Sequence, residues 1–138
     1  MADETLKQQK QVFYDKTCAH LVTQGCRAYG KFTQTSSLGV QCADYGCMYR
    51  TPDGKSCAIG CHIPDSEYDE KMENKNISTL TATYPTIAKL IPDLGLATEL
   101  QSVHDFMEDW WNTGGLSELG KNRLQEIAVE HNLTPYTF

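Results

Sequence analysis

The chain has 138 residues, with 18 acidic against 12 basic side chains and a net charge of −6 at pH 7. That length suits a single domain with a core of its own, and 40% hydrophobic with 22% charged residues is a folding composition rather than a disordered one. The acidic balance, with no block of Lys or Arg, argues against a protein whose main work is gripping a nucleic acid duplex.

No apolar run approaches the roughly 20 residues that span a bilayer, and the opening MADETLKQQK lacks the apolar stretch of a secretion signal, so a cytoplasmic setting without membrane contact is expected. In such a reducing compartment Cys18, Cys26, Cys42, Cys47, Cys57 and Cys61 are read as free thiols or metal ligands rather than a disulfide framework. The sequons at Asn76 and Asn132 carry no glycan there.

Residues 3–24 read as a first amphipathic helix, with Leu6, Phe13, Thr17, His20 and Leu21 near one side and Gly25 placed for a left-handed cap. A short strand is expected over 26–32, then a loop over 33–39. Pro52-Asp53-Gly54 lies between two strand-like runs, 47–50 and 55–59, and predicts a β-hairpin whose register could bring Cys47 and Cys57 close. Pro64-Asp65-Ser66-Glu67 reads as the start of a short helix that puts Tyr68 and Met72 on one face. Ser78 can cap another helix, broken at Pro85 and ending near Ile91. The clearest helix is expected over 95–112, with Leu96, Leu100, Val103, Met107, Trp110 and Trp111 as its apolar stripe. A last helix over 117–130 should bury Leu119, Leu124 and Ile127 and end at Asn132. The expected fold is therefore α+β and mostly helical: one globular domain over 1–138, with a strand and hairpin region at 25–63, a helical region at 64–138, and four to six short helices around a small antiparallel hairpin or sheet.

Several constellations could carry chemistry. Cys47, Cys57 and Cys61, with Cys42 and His62 nearby in sequence, could surround a tetrahedral zinc ion, although the spacing is not the two tight pairs of a zinc knuckle. The same thiols could equally be small buried hydrophobes. A reactive thiol would need a depressed pKa, for which Arg50, Lys55 or His62 could supply the field. Adjacent His104 and Asp105 lie about 100° apart on a helix, so the expected partner of His104 is Glu108, one turn on. Arg50, Lys55 and His62 form a local basic patch that could hold a phosphate or a partner's carboxylate, or that guards a hairpin edge. Trp110 and Trp111 cannot both point inward from one helix, so one should stand at a rim where tryptophan serves protein interfaces.

The run from Cys47 through Tyr49-Arg50, Gly54, Cys57 and Ile63-Pro64-Asp65, followed by Tyr68 and Met72-Glu73, resembles a family of small uncharacterised bacteriophage and prophage proteins. The stretch from Leu100 to Asp105, the late tryptophans, His20-Leu21 and Gln24-Gly25 extend the resemblance over most of the chain. His62 departs from the apolar residue usual at its position, and the loop with Cys42 is longer than usual. The resemblance implies the setting of a phage-encoded accessory protein in the host bacterial cytoplasm, and the expected function is binding by occupancy of a host factor or sequestration of a nucleotide-like anion, with no cofactor expected and a homo-oligomer allowed. A protein-binding form would use acidic residues and Trp110/Trp111; a nucleotide-binding form would use Tyr49, Arg50, Lys55 and His104. The alternatives are a zinc- or thiol-dependent enzyme centred on Cys47, Cys57, Cys61 and His104, and a virion structural component.

Overall fold

The computed structural model describes residues 2–35, 41–111 and 114–138, with the backbone alone for 2–4, 32–35, 41–45 and Met107. The fold is mostly helical α+β: among the described residues there are five α-helices and one two-stranded antiparallel sheet. Helix α1 (Ala2–Gln24) ends where Gly25 turns left-handed at φ +71° and returns its N–H to the Leu21 carbonyl. Its buried face is Phe13, Tyr14, Thr17, Cys18 and Leu21, while Leu6 lies exposed, before that buried face begins. The Tyr14 hydroxyl donates to the Leu124 carbonyl at 2.8 Å and accepts from Tyr136 N–H at 3.1 Å, tying α1 to the last helix and the C-terminal segment.

Strands β1 (Tyr29–Thr35) and β2 (Gln41–Cys47) pair from Tyr29 opposite Cys47 to Thr35 opposite Gln41. The sheet therefore lies upstream of the expected hairpin; residues 33–35 of the expected 33–39 loop are strand, and 36–39 lie outside the described residues. The 47–59 segment keeps its turn but not its strands. Gly54, at φ +88°, donates to the Thr51 carbonyl, Thr51 N–H to the Lys55 carbonyl, and a single bridge joins Arg50 to Ser56. Beyond it the chain coils into a 3₁₀ turn at Gly60–His62, where a Cβ on Gly60 would stand 1.9 Å from the Tyr49 carbonyl oxygen. That close approach takes the place of a continued ladder. The bridge also aligns Cys57 with Tyr49 rather than Cys47, its N–H reaching the Tyr49 carbonyl at 3.4 Å.

The expected helix at Pro64 is a turn, Glu67 N–H to Pro64 carbonyl, followed by one 3₁₀ turn at Glu70–Met72. Helix α2 (Ile77–Thr83) is capped by Asn76, whose side chain accepts from Thr79 N–H at 2.8 Å, so the cap is two residues ahead of Ser78. Pro85 breaks the helix as expected and opens α3 (Pro85–Ala88). Asp93 caps α4 (Leu94–Asp105), which buries Leu96, Ala97, Leu100, Val103 and His104.

Helix α4 stops at Asp105 instead of running to residue 112. The Trp110 indole N–H donates to the His104 carbonyl at 2.9 Å, taking an acceptor that a continuing helix would reserve for a main-chain donor. Trp110 then bridges to Leu116 across a turn in which Gly114 and Gly115 both have positive φ, 100° and 83°. Neither tryptophan is on the helix. Helix α5 (Glu118–Glu130) is capped by Ser117 and followed by Asn132 at φ +57°; Leu124 and Ile127 are buried, but Leu119 is exposed. One apolar core joins α1, α2, α4, α5 and the 57–63 coil through residues such as Leu21, Ile59, Leu80, Leu100 and Leu124.

Candidate functional site

Glu73 organises the centre of the molecule. Its nearly buried carboxylate accepts from Tyr49 N–H at 2.8 Å, Arg50 N–H at 3.0 Å and the Tyr68 hydroxyl at 2.6 Å. A carboxylate that takes two successive backbone donors fixes their path, and charge-assisted bonds of this kind are the strong ones. Tyr49 is thereby held with its hydroxyl on the Lys75 carbonyl, 2.5 Å away.

Between the end of β2, the 74–78 segment and α4 lies a groove of about 580 Å³, walled by Cys47, Tyr49, Ile77, Gln101, Asp105 and Phe106 among others. Asp105 is the one carboxylate among the described residues that line it, beside Lys75: the side chain is 39% exposed, and Oδ1 accepts from Gln101 Nε2 at 3.0 Å and lies 2.8 Å from His104 Nδ1. The Gln101 carbonyl oxygen is buried without a partner among the described residues. The cations nearby are turned elsewhere. Arg27 donates to the Asp105 main-chain carbonyl and lies over the Tyr29 ring, and Lys75 returns its ammonium to the Lys71 carbonyl. The groove thus offers acceptors to a donor-rich guest.

His104 and Asp105, expected to diverge, are bonded to each other because α4 ends there and Asp105, in its last turn, folds back. His104 is fully buried, and Ala28 N–H donates to its Nε2 at 2.8 Å. That bond requires a lone pair on Nε2 and so places the ring proton on Nδ1, the nitrogen facing Asp105. Cys47, His104 and Asp105 form the one group among the described residues whose ligand atoms all lie within 4.8 Å of one another. A metal-bound histidine keeps a proton on its other nitrogen, where Ala28 N–H already points. The donor set as arranged does not fit zinc, and His104 acts as a pin between β1 and α4.

The expected Cys47, Cys57 and Cys61 cluster is not assembled. Cys57 is fully buried and accepts from Gly60 N–H, while Cys61 donates to the Ala58 carbonyl. Burial pushes the Cys47 thiol up to about 12, with Asp105 adding to it, and burial likewise pushes Cys18 and Cys61 up to about 12 and Cys57 higher. A nucleophilic thiol needs the opposite shift.

The expected anion-binding set is dispersed as well. Arg50 is spent on Asp65, the Ile63 carbonyl and the Tyr68 ring; Lys55 pairs with Asp53 at 2.9 Å; Tyr49 and His104 are buried and bonded. The helical argument for one tryptophan at a rim does not apply, since both residues lie off the helix; Trp110 is half-buried and Trp111 is 54% exposed. Phe106 (49%) and Tyr29 (51%) are also exposed, Phe106 beneath the Arg123 guanidinium and Tyr29 beneath that of Arg27. Sequence reasoning missed Phe106 because it was assigned to a continuous helix. Comparison of the chain with protein-family models, with curated proteins and with solved structures finds no match.

Proposed function

We propose that the protein is a binding module that acts by occupancy, docking a partner protein through the exposed aromatics Phe106, Trp111 and Tyr29 and drawing a basic or donor-rich side chain of that partner into the Asp105 groove. The observation that carries this is a groove in which the half-exposed Phe106 ring, backed by Arg123, stands in one wall with the buried Gln101 side-chain oxygen and the partly exposed Asp105 carboxylate as acceptors, with Trp111 and Tyr29 adding exposed aromatic surface. Rigid aromatic and arginine side chains dominate interface energetics, and a pocket with a few convergent polar groups supplies specificity. Catalysis has less support, because the described thiols with resolved shifts are all raised and His104 has both nitrogens engaged. The resemblance to phage and prophage proteins supplies the setting: the partner is a host factor in the bacterial cytoplasm.

Affinity capture from bacterial lysate with the wild-type chain, Trp111→Ala and Asp105→Asn tests this. The reading requires one stoichiometric partner that is released by raised salt and lost from both variants. A partner retained equally by all three proteins would remove it.

A further inference from the structure

A second groove, sharing no lining residue with the first, lies between α1 and the segment that follows α3. It has a volume of about 530 Å³ and is lined by Val12, Phe13, Lys16, His62, Lys89 and Leu90 among others, with no carboxylate among the described residues of its wall. In a chain of net charge −6 this local reversal of sign needs a cause. Lys16 and Lys89 are exposed and make no ion pair among the described residues, whereas Lys10, Lys55 and Lys121 each pair with an acid.

The floor is built and fixed. The His62 ring stacks on Phe13 with centroids 4.0 Å apart and planes 12° from parallel. Thr17 gives its hydroxyl proton to the Phe13 carbonyl at 2.8 Å, so its oxygen accepts from His62 Nε2, 2.7 Å away. His62 Nε2 therefore carries a proton, and the ring is held in place. Burial, with Lys16 and His20 adding to it, lowers the His62 pKa to about 3. Among the described residues the charges on the groove wall are then the two lysines, beside an aromatic floor flanked by the exposed Val12 and the half-buried Leu90.

We infer that this groove binds a small organic anion, its acidic group held by Lys16 and Lys89 and its apolar body laid over Phe13, His62, Val12 and Leu90. The site is separate from the Asp105 groove and does not rest on the docking reading above. Its volume falls in the range of pockets that enclose small ligands, and ammonium groups beside an apolar surface select an anion with an apolar body over either part alone.

The test is a titration of the full chain at pH 7 with 1-naphthoate, followed by amide chemical shifts, beside its neutral analogue 1-naphthalenemethanol. The site predicts shifts centred on residues 8–16, 62 and 89–90, with the neutral analogue at least about tenfold weaker. Lys16→Met and Lys89→Met keep the apolar stems and alter exposed side chains, so the fold should survive. Each should weaken 1-naphthoate by about fivefold or more, and His62→Gln should weaken both probes alike. Equal binding of acid and alcohol, shifts centred elsewhere, or lysine variants that bind like wild type would each overturn the assignment.

Discussion

Replacing Glu73 by Gln changes two heavy atoms' chemistry and almost no volume, yet the structure assigns it a large effect. The carboxylate accepts three hydrogen bonds, two of them from successive backbone donors, at a position that is 9% exposed. In the amide, one acceptor oxygen becomes a donor. Whichever way the amide turns, its NH₂ faces the N–H of Tyr49 or Arg50, and the bond that survives is no longer charge-assisted. Losing one charged hydrogen bond and weakening a second costs about 3 kcal/mol in total. With a urea dependence of about 1.5 kcal/mol/M for a chain of this size, the unfolding midpoint should fall by about 2 M, while the exposed Glu70→Gln should stay within about 0.5 kcal/mol of wild type. Equilibrium urea unfolding followed by tryptophan fluorescence reads both. A midpoint shift for Glu73→Gln no larger than that of Glu70→Gln would refute the claim that this carboxylate holds the 49–50 path.

Other outcomes follow from the same geometry. His62 has a folded pKa depressed to about 3, below its unfolded value, so the unfolded chain binds the extra proton and stability falls as pH drops below about 6.5; His62→Gln should flatten the stability profile between pH 7 and 5 by on the order of 1 kcal/mol per pH unit. A profile with the same slope in both proteins would show that the ring is not buried neutral. Gly60→Ala drives a Cβ into the Tyr49 carbonyl and should destabilise by about 3 kcal/mol or more, whereas Gly54→Ala, with open space but a positive φ, should cost about 1 kcal/mol, both measured by thermal unfolding. Adding one equivalent of Zn²⁺ to the reduced protein should leave the unfolding temperature unchanged within about 1 °C, since a ligand that binds only the folded state would raise it; a rise abolished by Cys47→Ser would show that Ala28 yields and His104 ligates.

What the sequence disclosed and what it hid divide by the range of the interaction. Helices α1 and α5 were legible because their caps, Gly25, Ser117 and Asn132, act within a turn of the helix they end. Pro85 marked the α2/α3 break for the same reason. The end of α4 was hidden, since the apolar stripe continues in sequence through Met107 and Trp110 while the stop comes from an indole reaching back to the His104 carbonyl. The 47–59 hairpin was overread because its turn is genuine but its strand donors at Tyr49 and Arg50 are taken by Glu73, 24 and 23 residues away. The tryptophan rim was argued from a helix that ends before either residue, so the exposure of Trp111 does not follow from the 100° spacing of helical neighbours. The site chemistry was hidden as well: Arg50 and Lys55 looked free because sequence cannot show that Asp65 and Asp53 neutralise them, and Lys16, His62 and Lys89 come from three separate segments.

The most direct test of the docking account is photo-crosslinking in bacterial cells from a photoreactive residue placed at position 111, with position 55 as the exposed control. Cross-linking of one host protein from position 111 and not from 55, lost when Asp105→Asn is added, is the predicted result. Cross-links of equal yield from both positions, or a product from 111 that is indifferent to Asp105, would contradict a docking face built on Trp111 and the Asp105 groove.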